Sequence, residues 1–173
     1  MVSLVSNQEA FIRLMIITVI SALIGMEREY HHKPAGLRTN VMVGLGSTLM
    51  TLASVKVLEI TPVLQGIDPA RISAQIVTGI GFIGAGAILR PSSGKGNVVG
   101  LTTAATLWVV CGLGIAVGMG FYFEAILTTL LVFFTFIVLS KIVSKLREYT
   151  RLHPPKYEHD DEDTIHNHET QER

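Results

Sequence analysis

From Ile72 to Leu89 the chain runs for 18 residues without a charged side chain. As a helix this segment would be about 27 Å long, close to the apolar thickness of a bilayer. It also contains Gly79-Ile80-Gly81-Phe82-Ile83-Gly84, which reads G-x-G-x-x-G. A dinucleotide-binding loop needs a strand before it, a helix after it and an acidic residue about 20 positions on for the ribose. No Asp or Glu lies between Asp68 and Glu124, and Arg90-Pro91 ends the segment. A membrane helix explains the glycines better. In lipid, helices associate by close packing, so small residues line their contacts. Ala74, Thr78, Gly81 and Ala85 recur at i+4, i+3 and i+4 and share one face. Gly79 and Gly86 lie on an adjacent face with Gln75 and Phe82. The expectation is a central helix touching two neighbours, with Gly79, Gly81, Gly84 and Gly86 at the contacts.

Composition extends this reading to the rest of the chain. Charged residues make up 16% of it, against about 25% in a typical soluble domain, and the mean hydropathy is +0.46. Apolar segments at about 10–26, 39–57, 70–89, 98–117 and 121–143 predict an all-α transmembrane bundle of five spans within residues 1–146. Arg13, in the first turn of the first span, is expected to snorkel outward along its aliphatic stem. Asp68-Pro69 suits the start of the third span and Asn97 the start of the fourth. The fifth is bulky and poor in small residues, so it belongs at the lipid-facing edge. Gly118-Met119-Gly120 marks a tight hairpin before it. Gly114 and Gly118 form a G-x-x-x-G pair, which favours packing within the chain over a homodimer seam.

The positive-inside rule orients the bundle. With the N-terminus outside, the inner segments hold Arg28, Lys33, Arg38, Arg90, Lys95, Lys141, Lys145, Arg147, Arg151, Lys156 and Arg173, and the outer ones hold Arg13, Lys56 and Arg71. The C-terminus is then cytoplasmic.

Polar chemistry concentrates in two places. The stretch Gly25 to Asn40, GMEREYHHKPAGLRTN, reads as a cytoplasmic loop with a turn at Pro34-Ala35-Gly36. Its charges either anchor two helix ends or form a site in which Glu27 and Arg38 point back toward the bundle, where an ionisable group is costly unless paired. Gln75, Asn97, Thr102, Thr103 and Thr106 form a second set, suited to hydrogen bonds between helices. Trp108, in mid-span, packs in the bundle or against lipid. Glu124 belongs at the outer interface.

Several function classes are poorly served. No H-E-x-x-H, G-x-S-x-G or P-loop occurs, so neither an enzyme nor a cofactor is expected. Zero net charge gives no argument for nucleic acid. Magnesium favours oxygen ligands that include carboxylates, and the spans carry almost none. The tail, 147–173, is acidic and expected to be disordered and solvated. His159, His166 and His168 there are weak metal candidates. The single cysteine, Cys111, excludes a disulfide framework within one chain.

The stretches ALIGMEREYHHKPAGLRTN, AQIVTGIGFIGAGAILR and GLTTAATLWV resemble, in order and spacing, the signature stretches of the MgtC/SapB family of bacterial inner-membrane proteins. The resemblance covers about Leu14 to Val143. It implies a multi-pass inner-membrane protein involved in adaptation to magnesium limitation. It further implies regulation of other membrane machinery, such as the proton-driven ATP synthase, with a transporter or channel for magnesium or another small solute as the alternative. The lipid bilayer is the first partner, and a homo-oligomer is open. The motif residues carried over as functional candidates are Glu27, Arg28, Pro34, Gly36, Arg38, Gln75, Asn97, Thr103 and Trp108. Many members have Asn where this chain has Thr102. Virulence-type members continue into a cytoplasmic α+β module where this sequence has its short tail, so the membrane-domain role is the one that carries over.

Overall fold

The computed structural model describes residues 5–60, 70–88 and 98–152. Expectations for Asp68, Pro69, Arg90, Lys95, Asn97 and the tail beyond Leu152, with His159, His166 and His168, fall outside the described residues; residues 147–152, expected in the disordered tail, are helical. Every regular element among those described is a helix. The chain divides into two units, Met1–Phe133 and Phe134–Arg173.

In the first unit, α1 spans Asn7–Tyr30, α2 Leu37–Ile60, α3 Ala70–Ala87 and α4 Leu101–Met119, and α5 begins at Tyr122. The Ser6 hydroxyl caps α1 by accepting from the Glu9 backbone N–H at 3.1 Å. The helix then continues four residues beyond the expected end at Met26. Glu27, Arg28 and Glu29, expected in a loop, occupy its last turn. Glu and Arg are good helix formers, so charge alone does not end a helix. The stop comes where His32 adopts a left-handed φ of 52°. There the His32 N–H reaches the Glu29 carbonyl at 3.0 Å and the Lys33 N–H reaches the Arg28 carbonyl at 2.9 Å. These bonds satisfy carbonyls that the helix end leaves open.

Two glycines set the ends of α4. Gly100 precedes it with φ 98°, and a Cβ there would run into the Ala87 carbonyl at the end of α3. The fourth helix therefore starts at Leu101, after the expected Val98. At its other end Gly120, with φ 90°, closes a Schellman turn. The Gly120 N–H bonds the Val117 carbonyl at 3.0 Å and the Phe121 N–H bonds the Ala116 carbonyl at 2.8 Å. This is the expected hairpin before α5.

Helix α2 lies against both α1 and α4, which also meet each other, while α3 packs along α4 and touches α2. Ile17, Ile24, Leu107, Val110 and Val117 fill the interior, but Ser21, Asn40, Thr48 and Thr51 are fully buried beside them. In α5 the buried residues are Ala125 and Thr129, as a lipid-facing edge requires. The second unit contains a π-helical turn at Thr135–Leu139 followed by α6, Ser140–Leu152.

Four helical stretches are long and apolar enough to cross a membrane: Asn7–Tyr30, Leu37–Val57, Leu101–Met119 and Tyr122–Leu146. Ser73–Ala87 is a shorter apolar helix.

Candidate functional site

The charged end of α1 and the start of α2 form one corner. Arg28 is buried, and its guanidinium grips the Glu27 carboxylate with both an Nε contact at 2.6 Å and an Nη2 contact at 3.0 Å. Such bidentate pairs fix geometry as well as charge. His31 adds a third group, with Nδ1 3.1 Å from Glu27 Oε1. Glu29 does separate work. Its carboxylate accepts the Leu37 N–H at 2.7 Å, which caps α2 and places negative charge at the helix N-terminus. That carboxylate also explains Gly36, where a Cβ would sit 2.5 Å from Glu29 Oε2. Asn40 locks the turn: its Nδ2 donates to the Ala35 carbonyl at 3.0 Å and the Gly36 carbonyl at 2.8 Å.

Arg38 does not share this corner. It is exposed, as the helix-anchoring reading allows and against the other reading, in which Glu27 and Arg38 point back toward the bundle. The buried cation is instead Arg28, one residue from Glu27 on α1, because the extended α1 carries both inward before the chain turns. Pro34 is exposed beside the buried Ala35.

The opposite end has its own buried cation. Arg13 does not snorkel outward. Its Nη1 donates to the Gly118 carbonyl at 2.5 Å, and its Nη2 pairs with Glu9. The last carbonyls of α4 lack helical partners and carry the negative end of the dipole, which draws the guanidinium in.

Between the two ends, α2 and α4 meet along Gly114 and Gly118. A Cβ on Gly114 would overlap the Ser47 hydroxyl, and one on Gly118 would lie 2.7 Å from Thr51 Cβ. The G-x-x-x-G pair thus lies against α2 of the same chain. Thr48 Oγ1 crosses the seam to the Gly114 carbonyl at 2.9 Å. Such a bond contributes about 1 kcal/mol. Ser21, Ser47 and Thr51 donate to carbonyls of their own helices. Thr106 does the same, bonding the Thr102 carbonyl at 2.8 Å, where a bond between helices was expected; an i−4 carbonyl is the nearest acceptor for a helical hydroxyl. Thr103 is buried, while Gln75 and Trp108 are exposed.

The glycines of α3 behave differently from the expectation. A Cβ on Gly79, Gly81 or Gly86 would meet nothing within 4 Å, and one on Gly84 would meet only the Ala104 side chain at 3.7 Å and the Ala104 carbonyl at 4.0 Å. Packing runs instead through Ile76, Ile80 and Ala87, set against Leu107 and Cys111. Branched aliphatic side chains fill this contact together with the buried Gly84, which faces Ala104 as a contact glycine was expected to, while Gly79, Gly81 and Gly86 point away from it. Phe82, on the outward side, is 85% exposed. Between α2 and α3 lies an apolar groove lined by Met42, Val43, Gly46, Ile76, Ile80 and Cys111. Among the described residues no group of His, Cys, Asp and Glu is arranged to hold a metal ion.

The model of the MgtC family matches residues 14–145, which takes in the charged corner, α3 and the glycine seam. The chain belongs to the MgtC family. It is 48% identical over 118 residues to the putative magnesium transporter YhiD of Escherichia coli, covering 66% of this chain and 53% of YhiD. It is 39% identical over 142 residues to SapB of Bacillus subtilis, covering 81% of this chain and 60% of SapB. With MgtC of Salmonella typhimurium the identity is 37% over 137 residues, 79% of this chain and 55% of that protein. The chain therefore spans little more than half the length of these curated relatives. No solved structure matches it. As a member of the MgtC family it is a membrane protein, and among its relatives YhiD is named a putative magnesium transporter.

The sequence did not single out Glu29 or Asn40, and it placed Arg13 outward instead of in the bundle. Glu29 carried a legible signal, an acid eight residues before the start of α2. Arg13 carried none, because its acceptor, Gly118, lies 105 residues away.

Proposed function

We propose that this chain is a non-enzymatic, multi-pass protein of the bacterial inner membrane. It has five spans, its N-terminus outside and its C-terminus in the cytoplasm, and it regulates other membrane machinery during magnesium limitation or stress. The observation that carries this reading is the contrast between two glycine faces. Gly114 and Gly118 are closed against Ser47 and Thr51, while Gly79, Gly81 and Gly86 have open space around them. Small residues that meet nothing among the described residues leave α3 able to meet a helix of another membrane protein closely. The proton-driven ATP synthase is one such partner. The buried hydroxyls of the seam are already bonded to backbone carbonyls, which argues against a hydrated path between the buried arginines at its ends.

The name of YhiD, a putative magnesium transporter, favours a second reading, transport of magnesium or another small solute. Magnesium flux into proteoliposomes separates the two. With protein shown to be helical and an indicator dye inside, the regulatory reading expects no uptake above empty vesicles. Saturable uptake that is lost in Glu27→Gln would overturn it in favour of transport.

A further inference from the structure

Helix α6 carries a face that the family reading leaves unused. Ile142, Leu146 and Tyr149 follow one another at i+4 and i+3 and so share one side of the helix. All three are more than half exposed, at 51%, 59% and 64%. On the rest of the helix Lys141, Lys145 and Arg151 are exposed beside the acid Glu148. A helix of this kind, aliphatic and aromatic on one side and rich in Lys and Arg on the other, suits the plane of a bilayer interface. Its place in the chain points the same way. The apolar stretch Tyr122–Leu146, long enough to cross a membrane, includes the first seven residues of α6; about 20 residues cross the apolar core, and counted from Tyr122 they end at Lys141, so the rest of α6 falls at the headgroups. A π-helical turn at Thr135–Leu139 comes just before it.

We infer that α6 is a lipid-recognition element that lies in the interface of the same bilayer and selects anionic headgroups. Its apolar side would enter the acyl boundary while its Lys and Arg residues meet lipid phosphates. Charge complementarity decides for anionic over zwitterionic lipid, since each juxtamembrane basic residue strengthens binding to an anionic surface about fivefold. The inference rests on the bilayer location of the chain and not on its regulatory role, so flux measurements leave it untouched.

The test uses the full chain with Cys111→Ala, reconstituted in vesicles of phosphatidylcholine with or without phosphatidylglycerol. Spin labels are placed singly on Leu146→Cys, Tyr149→Cys, Ser144→Cys and Arg151→Cys. Collision with oxygen reports lipid and collision with an aqueous nickel chelate reports water. In phosphatidylglycerol vesicles, labels at 146 and 149 should favour oxygen and those at 144 and 151 nickel. That contrast should fall several-fold in phosphatidylcholine alone. Lys141→Glu with Lys145→Glu should lower the interfacial fraction by more than about tenfold, with helicity checked by circular dichroism. Equal nickel access at all four sites in both lipids would overturn the inference. So would shielding of 146 and 149 that ignores lipid charge, or that grows with the protein-to-lipid ratio, the latter marking a second copy as the occupant. The comparison of lipids on the unreversed helix decides the matter even if the charge-reversed protein does not fold.

Discussion

His32 ends α1 at a φ of 52°, a conformation that costs an L-residue with a Cβ roughly 1–2 kcal/mol. Glycine adopts it without that cost but loses more backbone entropy on folding. His32→Gly should therefore stabilise the protein by about 0.5–1 kcal/mol. A denaturation series in detergent would read this directly, and a loss of stability would mean that the imidazole makes a compensating contact. The same corner shows what is legible at the scale of residues. Glu27 and Arg28 stand out in sequence because charges beside a membrane span are costly unless paired. Their bidentate geometry, and the exposure of Arg38, depend on how far α1 runs before it turns.

At the scale of elements, glycine spacing carries less information than it promises. Gly114-x-x-x-Gly118 and the α3 glycines have equally strong patterns, yet the first is filled, while Gly79, Gly81 and Gly86 are open to the described residues. Gly118→Leu should force α2 and α4 apart at Thr51 and cost about 2 kcal/mol or more, seen as a lower steady-state level in membranes. Gly81→Leu meets no neighbour and gains helix propensity, up to about 1 kcal/mol, so its level should match or exceed wild type. If Gly81→Leu accumulates yet loses activity in cells, the open face of α3 is where the partner binds. If Gly81→Leu fails to accumulate, the face is covered by something on which stability depends, and the open-surface reading fails. The reason the two patterns differ lies in their neighbours. Ser47 and Thr51 of α2 are short enough to admit close approach, whereas α3 meets α4 through Ile76 and Ile80 and is held off by their bulk.

The whole molecule brings the starts of α1 and the ends of α2 and α4 together. Arg13 reaches Gly118, and Lys56 donates to Asn7 Oδ1 at 3.2 Å. The end of α1 meets the start of α2, with the end of α3 against Gly100 before α4. This is the alternation that successive crossings demand. With the N-terminus outside, a membrane-impermeant thiol reagent applied to intact spheroplasts should label Lys56→Cys and spare Lys33→Cys, with Cys111→Ala as background. The reverse pattern would invert the proposed orientation. Sequence alone determined the helical class, the approximate segments and the family, because apolar length and motif order are local properties of the chain. Only the tertiary structure decided which glycines are filled, which arginine is buried at each end and which hydroxyls bond across helices. Those depend on the surface a neighbour presents, and that neighbour can lie far along the chain, as Gly118 does from Arg13.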